Sequence, residues 1–310
     1  MKQKNKQKVS HALYFCALIF LFFITPFTAQ ATKKATDLIV FSYDRPLQLH
    51  TLLSSINKYV SNLHALFIIY RTSNHQFDHA YDEVRTLFPT AHFIKQGPEP
   101  KKDFKPLLLT CLFATTASHV MFATDDDIFT DSVDIADCVH AQESTDAYGF
   151  YLRLGTNITH SYFANQPLTL PPFTPLSHNT LSFSFQDGKS YWAYPNNVNM
   201  TLYKKSMIED AFTALSYNSP NTLESRWARL YPIVGRGLCF THSKGINIPL
   251  NLVQDDWQNK HEAIFTTQEL LNLWNYGYTI DLAQFHHIHN NAAHMPYMPT
   301  FIKKMRYMLN

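Results

Sequence analysis

Short apolar runs alternate with helical-period segments through the first 125 positions. Asp37–Ser42 holds a continuous apolar run of strand length, and Pro46 then opens a stretch with Leu49, Leu52, Leu53 and Ile56 at helical spacing. Ala65–Tyr70 is a second strand. Phe77–Phe88 reads as a helix with Ala80, Tyr81, Val84 and Leu87 on one face, and Ala91–Ile94 as a third strand. A helix is predicted from Pro106 to about Ala117, then a fourth strand over His119–Ala123. Four strand–helix alternations imply an α/β fold with a mostly parallel central sheet flanked by helices. Ligands bind such sheets at the carboxyl ends of the strands, so the residues after Phe41, Tyr70 and Ala123 matter first.

From Asp146 the pattern loosens. Residues 165–179 carry Pro167, Pro171, Pro172 and Pro175 and read as a surface loop or flap; Tyr191–Pro195 is aromatic; Asn199–Tyr203 is a candidate strand. Thr267–Tyr276 is a helix stopped by Gly277. The expected layout is one domain over 32–310, with a nucleotide-binding half at 36–145 and an acceptor-binding half at 146–310.

The N-terminus has a different character. Lys2, Lys4, Lys6 and Lys8 precede an apolar run from Ala12 to Phe27, followed by Ala29-Gln30-Ala31. These are the parts of a secretory signal peptide over 1–31, with an uncleaved membrane anchor as the alternative. Either way the catalytic part is expected on the non-cytoplasmic side. The formal net charge of +2 belongs to this segment, which holds four lysines and no acidic residue. The remainder is slightly acidic, and no nucleic-acid partner is expected. Cys111, Cys138 and Cys239 have no close spacing and form neither a disulfide framework nor a zinc site.

Glycine is scarce: 8 in 310 residues, none before Gly97. A Rossmann phosphate turn on the first strand is excluded. A P-loop fails because Phe183 stands where its opening glycine is needed. Phosphate must then be held by a metal and side chains. Thr124-Asp125-Asp126-Asp127 follows the fourth strand, and adjacent carboxylates repel unless a cation compensates. On an extended backbone Asp125 and Asp127 share a face, a pair suited to Mn²⁺ or Mg²⁺.

A strand ending Phe41-Ser42-Tyr43-Asp44-Arg45-Pro46, a helix, two more strands and then a strand ending in Asp-Asp-Asp resembles a GT-A fold glycosyltransferase, family 2-like. The resemblance covers roughly residues 36–135. It implies the nucleotide-diphospho-sugar transferase fold and a sugar moved from a nucleotide-sugar donor to a glycan or other hydroxyl acceptor, with inversion. It further implies an Asp-x-Asp motif with Asp125 and Asp127 on the metal, Ser42, Tyr43, Asp44, Arg45, Asp125 and Asp126 around the nucleotide, and Lys105 beside the diphosphate. Related enzymes commonly end strand two with an aspartate that reads the base; Tyr70-Arg71-Thr72-Ser73 stands there and leaves the base open. A general base is expected from the second half: Glu224 first, Asp255 or Asp256 second. His294, in a late cluster with His286, His287 and His289, is the candidate third metal ligand. Two other readings stay open: a metal-dependent phosphohydrolase using Asp125 and Asp127, and an exported glycan-binding domain without turnover.

Overall fold

The computed structural model describes residues 33–162, 164–253 and 264–304. Their main sheet strands are β1 (Lys33–Tyr43), β2 (Ala65–Arg71), β3 (His92–Lys95), β4 (Ala117–Thr124), β6 (Gly149–Tyr151), β7 (Phe173–Pro175), β8 (Thr180–Ser184), β9 (Thr201–Lys204) and β10 (Arg236–Phe240). A separate antiparallel pair joins β5 (Asp127–Phe129) to β11 (Gly245–Asn247). The nine strands run in the order β7-β8-β10-β6-β9-β4-β1-β2-β3. The first four pair in parallel, as alternation with helices requires. Beyond β4 the pairing is mixed: β9 is antiparallel to both β4 and β6, while β10 is parallel to β6.

Alternation along β1 serves both faces of the sheet. Leu38 and Val40 enter a core with α1 (Pro46–Tyr59), α2 (His75–Leu87), α4 (Ile135–Thr145) and α7 (Thr267–Asn275). Ile39 and Phe41 enter a second core with α3 (Pro100–Phe113), α5 (Lys205–Ala214) and α6 (Pro220–Leu230). The period of two sends successive side chains to opposite sides, and helices cover both.

Several boundaries differ from the sequence reading. Helix α3 begins at Pro100, six residues before the expected start, and carries Pro106 inside it. Both prolines can open a helix; the earlier one wins because Lys102 and Asp103 donate backbone bonds to Glu99. The proline-rich segment contributes β7, an edge strand, where a missing N–H is tolerated. Gly277 has φ +78°, the left-handed conformation expected of its stop role after α7. Residues 1–31 and Asp255 and Asp256 lie outside the described residues. Among the described residues, no helix is long and apolar enough to cross a membrane. Cys111, Cys138 and Cys239 are free and buried.

Candidate active site

The carboxyl ends of β1, β2 and β4 open into one cleft of about 940 Å³. Register explains which residues meet there. β1 pairs Phe41 with Thr124 and Tyr43 with Arg71, so Tyr43 lies beside Arg71 and the acidic triplet beside Ser42. Asp44 then takes φ +51°, a left-handed turn that aspartate tolerates, and Arg45 caps α1.

The triplet does not continue the strand. The chain turns at Asp125 and Asp126, and Asp127 begins β5. The period of two is lost there, which corrects the expectation that Asp125 and Asp127 share a face. Asp125 and Asp126 line the cleft; Asp127 is fully buried beneath it. Asp125 Oδ2 accepts from the Ser42 hydroxyl at 2.8 Å and the Tyr43 N–H at 3.1 Å. Asp126 Oδ1 accepts from the Thr124 hydroxyl at 2.7 Å and from Asn247 Nδ2 at 2.8 Å. Asp127 accepts from the Thr124 N–H at 2.9 Å and from Asn247 Nδ2 at 3.1 Å.

Arg45 bridges the two members that line the cleft. Its Nη1 lies 2.9 Å from Asp125 Oδ1 and 3.0 Å from Asp126 Oδ2. Nε donates to Asn251 Oδ1 at 2.9 Å, and Nη2 donates to the Asn251 carbonyl. Burial alone would lower the guanidinium pKa, but the two carboxylates reverse this and hold it above its ordinary value. Burial lifts Asp125 to about 6 against the pull of Arg45. It lifts Asp127 to about 7 against Arg153, while Asp126 is held below its ordinary value because Arg45 and its hydrogen bonds outweigh burial.

These shifts set a pH dependence. Asp125 and Asp127 have folded pKa values above their unfolded ones. Each contributes stability that is complete below the ordinary carboxylate pKa and is lost as pH rises through the folded value. Burial raises Asp44 and Glu224 in the same direction. Asp126 acts oppositely, but only below its ordinary value. His50, which burial pushes down to about 4, opposes the raised carboxylates across the same window. The Asp127 contribution is therefore read as a difference: the urea midpoint of the wild-type chain is expected to fall relative to that of Asp127→Asn between about pH 4 and 7. Parallel profiles for the two proteins would contradict this assignment.

Glu224 projects from α6, which Ser219 opens with a capping box to Thr222 and which Leu223 and Trp227 anchor in the core. Its Oε2 accepts the Val198 N–H at 2.8 Å and lies 3.5 Å from Asn199 Nδ2. Asn199 Oδ1 in turn accepts the Thr124 hydroxyl at 2.9 Å. Asn199 and Thr124 thus link the candidate base to the triplet. Among the described lining residues, Glu224 is the carboxylate outside the triplet. Burial raises its pKa, which suits a base.

Other expected site residues fare differently. Ser42, Tyr43 and Arg45 line the cleft, but one face of Tyr43 is taken by the Arg71 guanidinium, 3.6 Å from the ring centroid. Asp44 does not line the cleft; its Oδ1 accepts the Ser73 N–H at 2.8 Å. Lys105 turns away, donating to the Thr213 and Leu215 carbonyls at 2.7 and 2.6 Å, and Lys101 lines the cleft instead. A helix starting at Pro100 rotates these lysines relative to one starting at Pro106. His294 lines the cleft with Nε2 3.3 Å from Arg153 Nη1, whereas His286 stacks on Tyr59. Trp192 and Trp227 pack in the core; Tyr191 and Tyr194 reach the cleft.

Arg153, Asn247 and Asn251 escaped the sequence reading. The asparagines had a signal: both interrupt the apolar run Ile246–Leu252 and its flank, where a polar side chain needs a partner. Arg153 had none, since its place depends on β6 lying beside β9.

The expected metal finds no ready donor set. Among the described residues, no three His, Cys, Asp or Glu side chains come together to hold an ion. All six carboxylate oxygens of the triplet already have protein partners. A divalent cation does not fit this arrangement as built.

No protein-family profile matches the chain. It is similar to the bifunctional glycosyltransferase pgtA of Dictyostelium discoideum, 27% identical over 267 residues, covering 73% of this chain. The chain spans about a third of the length of that relative. Among solved structures it is similar to residues 1–349 of S. aureus TarS in complex with UDP (TM-score 0.45, 10% identity, 67% of this chain and 58% of that one). The same protein in complex with UDP-GlcNAc gives a TM-score of 0.43 at 11% identity, covering 81% and 69%. The 4-diphosphocytidyl-2C-methyl-D-erythritol synthase of Anaerococcus prevotii gives 0.41 at 11% identity, covering 78% and 96%.

Proposed function

We propose that this chain is a nucleotide-sugar glycosyltransferase of the GT-A type that transfers with inversion to a hydroxyl acceptor. The observation that carries the reading is the single cleft at the carboxyl ends of β1, β2 and β4, which holds arginines and carboxylates together with a separate carboxylate, Glu224. Similarity to a glycosyltransferase supports it. Glu224 takes the proton from the acceptor hydroxyl as that oxygen bonds to the anomeric carbon. The bond from that carbon to the diphosphate oxygen breaks, and the nucleoside diphosphate leaves with the electron pair. A metal-assisted form of this step would require Arg45 to withdraw from Asp125 and Asp126. Placement outside the cytoplasm belongs to the proposal too and rests on the lysine-flanked apolar segment over 1–31.

Calorimetry with UDP, GDP and CDP, each with and without Mn²⁺, tests the reading. One nucleotide is expected to bind in preference, and to be released from its nucleotide sugar when an acceptor is supplied. Failure of all three to bind under either condition would sink it.

A further inference from the structure

The carboxylates of the acidic triplet already have partners from within the chain. Arg45 Nη1 sits across Asp125 and Asp126 at 2.9 and 3.0 Å, and its other nitrogens are clamped by Asn251. Asn251 Oδ1 also accepts Gln48 Nε2 at 2.9 Å, so the clamp is tied to α1. The Arg45 side chain is 8% exposed. Moving it would strand a guanidinium, two carboxylates and a buried amide together, a cost that a cation entering from water must exceed.

A second guanidinium faces the same cleft. Arg153 Nε donates to the Asn199 carbonyl at 3.3 Å, and Nη1 lies 3.3 Å from His294 Nε2. His294, the expected third metal ligand, thus has that ring nitrogen turned to an arginine. Arginine presents a planar fork of donors that matches phosphate oxygens and stays charged at every working pH.

We infer that two arginines stand in for the divalent cation: Arg45 occupies the two cleft-lining carboxylates of the triplet, Arg153 is the cation offered to the donor's diphosphate, and nucleoside-diphosphate binding needs no added metal. The inference rests on the nucleotide-sugar reading and goes beyond it. It assigns Arg153 a role in leaving-group stabilisation that the sequence reading gave to a metal held by Asp125, Asp127 and His294.

The test is calorimetry on the wild-type chain with UDP, GDP and CDP in EDTA and in Mn²⁺, repeated with Arg153→Gln and with the nucleosides uridine, guanosine and cytidine. Whichever diphosphate binds is expected to bind equally in EDTA and Mn²⁺. Arg153→Gln is expected to weaken it at least about tenfold, as loss of one charge-assisted phosphate contact does, while leaving the parent nucleoside's affinity unchanged. Thermal melting of Arg153→Gln controls for folding. Binding that appears only with Mn²⁺ would overturn the inference and leave the glycosyltransferase reading standing. Unchanged diphosphate affinity in a folded Arg153→Gln would overturn it too. Absence of all binding, metal or not, would remove the reading and this inference with it.

Discussion

Glu224→Gln is expected to lower the sugar-transfer rate by about two to four orders of magnitude while leaving nucleotide affinity unchanged. The size follows from the role: a positioned base contributes that much by taking a proton in the transition state, and an amide cannot take it. The separation from binding follows from geometry. Glu224 Oε2 contacts the Val198 N–H and Asn199 Nδ2, while Arg45 donates to Asp125, Asp126 and Asn251. Arg153, whose charge is felt at Glu224, hydrogen-bonds the Asn199 carbonyl and not the carboxylate. Glutamine keeps the shape, and its amide oxygen can accept the Val198 N–H that orients the side chain. Because burial raises the Glu224 pKa, the acid limb of kcat/KM is expected above the ordinary carboxylate range and is expected to vanish in the variant. Single-turnover transfer with nucleotide binding measured alongside decides the matter. A full rate in Glu224→Gln would move the base elsewhere, to Asp256 first.

Asp125→Ala is expected to destabilise the fold by about 3 kcal/mol, with a fall in Tm on the order of 10 °C. Three adjacent carboxylates read as mutual repulsion predict the opposite sign, since deleting one should relieve the others. Arg45 reverses the sign. Without Asp125 its buried guanidinium keeps Asp126 as its one paired carboxylate, and the Ser42 hydroxyl and Tyr43 N–H lose Asp125 as an acceptor. The estimate sits at the low end for a broken buried pair because Asp126 remains. Asp125→Asn keeps the shape and an acceptor oxygen, so a smaller loss is expected. Urea denaturation of both variants at pH 7 measures this. A neutral or stabilising Asp125→Ala would show that Arg45 does not depend on the pair.

Much of the first half was legible because its signals are local. A strand of five or six apolar residues and a helix of fourteen each announce themselves within their own length, and so do the breaks between them. Pro100 and Pro106 show the limit: either could open α3, and the choice moved Lys101 into the cleft and Lys105 onto carbonyls at the C-terminal end of α5. The second half was less legible. Strands of three to five residues such as β6, β8 and β10 carry too few positions for a period. Their partners lie up to about ninety residues away in the chain.

By itself the sequence determined that strands and helices alternate, that no glycine loop cradles phosphate before Gly97, and that three carboxylates follow the fourth strand. Only the tertiary structure decided what those carboxylates are. The turn at Asp125 and Asp126 buries Asp127 and points its neighbours into the cleft. Arg45 arrives from 80 positions upstream, Asn247 from 120 positions downstream and Glu224 from another wall of the fold. Backbone periodicity is fixed by neighbours a few residues apart, whereas the charge state and partners of a buried carboxylate are fixed by whatever the fold places within about 3 Å of its oxygens.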